Sequence, residues 1–172
     1  VRFNIENSTV FGDANADTLS VVAGRDITGG VIWGGSTSDT SNDEEDDIEI
    51  FAQRNIIDTY AQGNGDDDTI FVGAEQISLS TVRGGQGDDE IDVDANFLVL
   101  NTLSRSQVFG DKGQDDIDVN ADTIGFSSIF GGSFEDTTND GADFISVDGE
   151  DLITQSLIQG NAGGDNISVD TD

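Results

Sequence analysis

The stretch Gly84-Gly85-Gln86-Gly87-Asp88-Asp89-Glu90-Ile91-Asp92 has glycine at its first, second and fourth positions, aspartate at its sixth and a large apolar residue at its eighth. That spacing suits the capture of a hard cation. Calcium takes about six to eight oxygen ligands, and glycine tolerates the backbone dihedrals that aim successive carbonyls at one point. The aspartate adds negative charge. The apolar residue two positions later begins a strand whose alternate side chains enter a core, so one such stretch supplies half a metal site and half a structural layer.

Varied copies recur through the chain. Aligned on the aspartate two residues before an apolar one, Asp17, Asp46, Asp68, Asp89, Asp115, Asp143 and Asp165 make one column over seven copies, and Gly12, Gly34, Gly63, Gly84, Gly110, Gly131 and Gly160 open the turns. Only the Gly84 copy is complete. Asp13, Asn64, Asp111 and Asn161 replace the second glycine, while Asn15 and Asp66 replace the later one; these residue types still permit turn backbones or donate oxygen. The candidate metal ligands are therefore the column aspartates together with Gly12, Asp13, Gly63, Asp66, Gly84, Gly85, Gly87, Gly110, Asp111, Gly160 and Asn161.

The segments between the turns must position them. After each column aspartate stands Leu19, Ile48, Ile70, Ile91, Ile117, Ile145 or Ile167, and two residues on Val21, Ile50, Val72, Val93, Val119, Val147 or Val169. Two further lie Ala23, Ala52, Ala74, Ala95, Ala121, Gly149 and Thr171. This is period-two strand patterning. Counting back from the opening glycines gives another set. Seven before stand Ile5, Ile27, Ile56, Ile77, Leu103, Ile124 and Ile153; four before, Ser8, Gly30, Thr59, Ser80, Ser106, Ser127 and Ser156; two before, Val10, Ile32, Ala61, Val82, Val108, Ile129 and Ile158.

Each coil reads as turn, strand, connection and second strand, with a basic length of 21 or 22 residues. The predicted fold is all-β: a right-handed parallel β-solenoid of about seven coils, with residues 1–172 forming a single segment. Like residues stack on like, which buries a core that no single coil could bury. The rod would be about 34 Å long.

Two coils are longer, with related insertions running from Trp33-Gly34-Gly35-Ser36 to Asp46 and from Phe130-Gly131-Gly132-Ser133 to Asp143. Asp39, Asn42 and Asp43 in the first, and Asp136, Asn139 and Asp140 in the second, carry oxygen at loop spacing and predict an additional calcium site. Coils one to three match coils five to seven at an offset of 97 or 98 residues, so four coils form a larger unit. The chain enters and leaves such a unit part-way, which predicts a segment of a longer tandem array.

Composition bounds the partners. Thirty-six acidic residues face six basic ones, for a formal charge of -30. Aspartates stacked one coil apart, about 4.8 Å, repel by about 0.9 kcal/mol per pair even at the dielectric of water. Six such pairs approach about 5 kcal/mol, comparable to the stability of a weak domain. Calcium at tenfold over its dissociation constant would return about 1.4 kcal/mol per site. A surface this acidic argues against nucleic acid and anionic membrane, and no apolar run approaches a membrane span. Cysteine and histidine are absent, which removes disulfides, thiolate and imidazole metal sites, and the commonest general base.

Enzymatic activity is not expected. Carboxylate pairs occur everywhere, and Arg2, Arg25, Arg54, Arg83, Arg105 and Lys112 are scattered, whereas cleavage of acidic polysaccharides needs clustered cations to neutralise the substrate. Phe11 with Trp33, and Phe109 with Phe130, fall on adjacent coils facing outward, where stacking as ladders is favoured over glycan or lateral contacts. The serine and threonine column reads as an inward ladder rather than an ice-binding face.

These repeats resemble the repeats-in-toxin family of secreted bacterial proteins, whose glycine- and aspartate-rich nonapeptides form calcium-loaded parallel β-rolls. Here one half of each coil carries the motif, which places calcium along one edge. The resemblance implies secretion and folding on meeting external calcium. The expected role is a calcium-rigidified structural segment of an extracellular surface-layer, adhesin or fibre protein that contacts other copies head-to-tail or laterally. The alternatives are a calcium-binding secretion or targeting module of a secreted protease, lipase or polysaccharide epimerase, and a solenoid that binds cell-surface glycan.

Overall fold

The computed structural model describes residues 3–35, 43–96, 101–132 and 140–171. The first coil contributes β1 (Ile5–Glu6), β2 (Thr9–Asp13) and β3 (Thr18–Ala23). The trio recurs as β4 (Asp26–Thr28), β5 (Val31–Gly35) and β6 (Asp47–Ala52), as β7 (Asn55–Ile57), β8 (Tyr60–Gly65) and β9 (Thr69–Gly73), and as β10 (Gln76–Ser78), β11 (Thr81–Gln86) and β12 (Glu90–Ala95). Then follow β13 (Thr102–Ser104), β14 (Gln107–Lys112), β15 (Asp116–Gly125), β16 (Ser128–Gly132), β17 (Phe144–Thr154), β18 (Leu157–Gln159) and β19 (Asn166–Asp170).

Among the described residues all of the strand pairs are parallel and join each coil to the next, making a right-handed β-solenoid. The strands that lead into the turn-opening glycines form a seven-stranded sheet in the order β18-β16-β14-β11-β8-β5-β2. The other two strand columns form a twelve-stranded sheet, because β15 and β17 each run from one column into the other. Register follows the apolar columns residue for residue: Ile48 pairs Ile70, Ile70 pairs Ile91, Ile91 pairs Ile117 and Ile117 pairs Ile145. On the second column Ile27 pairs Ile56 and Ile77 pairs Leu103; on the third, Val82 pairs Val108 and Val108 pairs Ile129.

These side chains fill the interior, where Ile48, Ile56, Ile70, Ile117, Ile124 and Ile145 are fully buried. Each contributes roughly 1.5–3 kcal/mol by leaving water. Because every layer lies on a near-copy of itself, a coil's burial depends on its neighbours.

The predicted second strand is in fact two. Asn7, Gly29, Asp58, Leu79, Arg105, Phe126 and Gln155 adopt φ between 46° and 65°, a left-handed residue that turns the chain between the second and third columns. The cause is parity. The apolar residue and the serine that follows it are three positions apart, so a straight strand would point them to opposite faces. The corner brings both inside.

Behind that corner, the serine and threonine ladder is internal, as expected. The N–H groups of Thr59, Ser80, Ser106 and Ser127 donate to the hydroxyls of Ser80, Ser106, Ser127 and Ser156 at 3.2–3.3 Å. The hydroxyls of Thr59, Ser80, Ser106, Ser127 and Ser156 in turn donate to the carbonyls two residues earlier at 3.0–3.3 Å. Among the described residues no helix is long and apolar enough to cross a membrane.

Candidate metal centre

The column aspartates end the turns between the third and first strand columns. Each stands two residues before an inward apolar residue, so strand parity points its carboxylate inward too. Asp46, Asp68, Asp89, Asp115 and Asp143 are at most 2% exposed. Asp17 and Asp165, nearer the two ends, are partly exposed.

Their carboxylates form a second internal ladder. The backbone N–H groups of Asp17, Asp46, Asp68, Asp89, Asp115 and Asp143 each donate to Oδ1 of the column aspartate one coil further on, at 2.8–3.1 Å. The other oxygen has no such partner. Oδ2 of Asp17, Asp46, Asp68, Asp89, Asp115 and Asp143 is buried without a hydrogen bond, an arrangement that carries a desolvation penalty of several kcal/mol for an ionised group.

The opening glycines make room for that oxygen. A Cβ on Gly34, Gly63, Gly84, Gly110, Gly131 or Gly160 would come within 3.0 Å of Oδ2 of its own coil's aspartate. At Gly12 the same position lies 2.7 Å from Asp17 Oδ2, and the carbonyl oxygen of Gly34 on the next coil crowds it too. The pairing of Oδ2 with the next coil's glycine carbonyl repeats at Gly84, Gly110 and Gly131, against the carbonyls of Gly110, Gly131 and Gly160. Two acceptor oxygens face a shared space. Hard cations accept this kind of mixed carboxylate and carbonyl set.

Burial is the main influence on these groups. It pushes the Asp89 carboxyl up to about 9, Asp68 and Asp115 to about 8, and Asp46 and Asp143 to about 6; the backbone N–H each accepts pulls the other way, and neighbouring carboxylates add to the rise. Without a counterion the folded chain holds protons on Asp68, Asp89 and Asp115 at neutral pH.

The remaining predicted ligands separate by position. At the second turn position Asp13, Gly85, Asp111 and Asn161, with Asn64, adopt φ of 75–138°, and at the later position Asp66 and Gly87, with Asn15, adopt 67–131°. These substitutes preserve the left-handed turn, as their types predict. Asp13 and Asp66 are exposed. Asp111 is buried and engaged elsewhere, its Oδ2 accepting from Arg83 Nε at 2.7 Å and its Oδ1 from Arg83 Nη2. Asp43 and Asp140 lie over Gly35 and Gly132, while Asp39, Asn42, Asp136 and Asn139 lie outside the described residues. Among the described residues, no three acidic side chains converge on one point, so a metal here would draw much of its shell from backbone oxygen.

Sequence reasoning did not find the link between Asn64 and Gly35, whose carbonyl accepts from Asn64 Nδ2 at 2.9 Å, nor its counterpart from Asn161 to Gly132. The 97-residue offset relating both pairs is the signal that marks them.

The expected aromatic ladders are present on the outer face of the seven-stranded sheet. Phe11 and Trp33 have ring centroids 4.8 Å apart, and Phe109 and Phe130 5.2 Å apart. Although they lie on an outward row, Phe109 and Phe130 are buried. The Arg83 guanidinium, 4.6 Å from the Phe109 ring centroid, covers Phe109 on the side away from Phe130.

Fold and site together define a right-handed parallel β-solenoid with an internal aspartate ladder along one edge. The chain matches no protein-family model and no curated protein.

Proposed function

We propose that this chain is a calcium-dependent structural segment of an extracellular surface-layer, adhesin or fibre protein. The observation that carries the reading is the row of buried Oδ2 atoms without hydrogen-bond partners. The column aspartates, with glycine carbonyls of the next coil, would hold the ions. Calcium when bound supplies the positive charge that a buried carboxylate row needs, together with tolerance for irregular oxygen shells. The ladder then ties each coil to the next, and the glycines keep the space open. Motif resemblance to the repeats-in-toxin family supports the choice of calcium and an extracellular setting, where that ion is plentiful. The aromatics favour a structural over a glycan-binding role, since Phe109 is stacked between Arg83 and Phe130.

Small-angle X-ray scattering of the full chain tests this reading. In millimolar calcium the radius of gyration should approach the folded value, about 16 Å for a compact chain of this length and somewhat more for a rod. In chelator at pH 7.5 it should rise toward about 44 Å, the unfolded value. The same compact particle in both conditions would overturn calcium dependence.

A further inference from the structure

Regular turns place one carboxylate over one glycine, whereas the two insertion coils place two. In the first, Asp46 lies over Gly34 and Asp43 over Gly35; in the second, Asp143 lies over Gly131 and Asp140 over Gly132. At each of these four glycines an added Cβ would overlap a carboxylate oxygen. Gly35 and Gly132 are therefore needed for room. Asp13, Asn64, Gly85, Asp111 and Asn161, at the same turn position in other coils, are left-handed, but Gly35 and Gly132 are not.

Several features point to a ligand at these two turns. Asp43 is 5% exposed, and Asp46 and Asp143 are 2% exposed. Oδ2 of Asp46, Oδ2 of Asp143 and Oδ1 of Asp140 are buried without hydrogen-bond partners. The surroundings also repeat, since the asparagine of the following coil donates to the second glycine's carbonyl in both places. Two carboxylates buried in one turn repel strongly where the dielectric is low. The pairing occurs twice, 97 residues apart, though in the second copy Asp140 is partly exposed and its Oδ2 accepts from the Ala162 N–H at 3.1 Å.

We infer that each insertion coil carries a distinct cation site, Asp43 with Asp46 and Asp140 with Asp143, that takes a hard divalent ion ahead of the rest of the ladder. This rests on the ladder being a cation column and adds an order of filling. Calcium affinity rises with the number of charged ligands in a site, and these turns offer one more carboxylate than the others. Filling them first would pin the solenoid at two points four coils apart, between which the regular turns then order.

The test is isothermal titration calorimetry of the full chain with calcium chloride alone, with native mass spectrometry to count bound ions. Two equivalents should bind at least about tenfold more tightly than the others. The double variant Asp43→Asn with Asp140→Asn should lose those two and retain the weaker class, whereas Asp89→Asn should keep them. A second double variant, Gly35→Ala with Gly132→Ala, should act like the first, because each Cβ takes the carboxylate's place. A single class of equivalent sites in the unaltered chain, or early equivalents that survive both double variants, would overturn the inference and leave the ladder reading standing. An absence of calcium binding by the unaltered chain would overturn both.

Discussion

The aspartate ladder and the serine and threonine ladder run along the same solenoid and are built alike. In both, a side-chain oxygen of one coil accepts a backbone N–H of its neighbour. They differ in what remains. Ser80 and Ser106 also donate, to the carbonyls of Ser78 and Ser104, so the hydroxyl ladder satisfies itself. An ionised carboxylate has no proton to donate. Asp68 and Asp89 accept at Oδ1, but their buried Oδ2 atoms have no hydrogen-bond partner in the protein. A neutral internal ladder is complete when the coils stack; a charged one waits for a cation or a proton.

The largest expected break between the two ladders is with pH. In chelator, the carboxyls of Asp46, Asp68, Asp89, Asp115 and Asp143 have folded-state pKa values of about 6 to 9 against an ordinary value of 3.8. The folded chain then binds more protons than the unfolded chain between those limits, so stability falls as pH rises. The stability from protonation is fully present below pH 3.8 and is lost as pH climbs through about 6 to 9. Circular dichroism of metal-free protein should show β signal gained on acidification. The serine ladder has no titrating group and should contribute nothing to this slope.

A smaller contrast comes from removing one rung of each ladder in saturating calcium. Asp89→Ala should cost about 3–5 kcal/mol, the scale for removing one partner of a buried charge pair. Ser106→Ala should cost about 1–3 kcal/mol, because it leaves the buried N–H of Ser80 without its acceptor. Urea melts measure both. In chelator at acid pH, where the row is protonated, Asp89→Asn should be close to neutral and should move the loss of β signal to higher pH, since it removes a group that must hold a proton to be buried, whereas the cost of Ser106→Ala should be the same with calcium or without.

The smallest contrast lies in the glycines. Gly84→Ala drives a Cβ into Asp89 Oδ2 and should cost about 1–3 kcal/mol, with loss of one bound calcium. Gly30 belongs to the serine column, and the nearest atom to its added Cβ would be Thr59 Cγ2 at 3.3 Å. Gly30→Ala should stay within about 1 kcal/mol, as thermal denaturation would show.

Much of the stack was legible because alternation and stacking repeat the same information. Ile48, Ile70, Ile91 and Ile117 hold one place in every coil, and parity from them points the aspartates inward. The left-handed corner was less visible. Its residues include Leu79, Arg105 and Phe126, which are poor markers of that conformation; only the odd interval between the apolar and serine columns betrays it. Asp111 sat among the candidate ligands because its type fits. Its pairing with Arg83, 28 residues earlier, depends on which rows adjoin across coils and is not a local pattern. The place of Asp43 over Gly35 likewise depends on how an insertion returns to the stack.

The most direct test of the charged ladder's need is far-UV circular dichroism during calcium titration at pH 7.5, with magnesium as a control. Magnesium demands near-octahedral geometry and sheds water reluctantly, so it should be a poor substitute. A cooperative, calcium-specific gain of β signal is the predicted result. A full β spectrum in chelator at that pH, unchanged by calcium, would contradict the account, since the apolar columns would then hold the solenoid together with the aspartate row protonated.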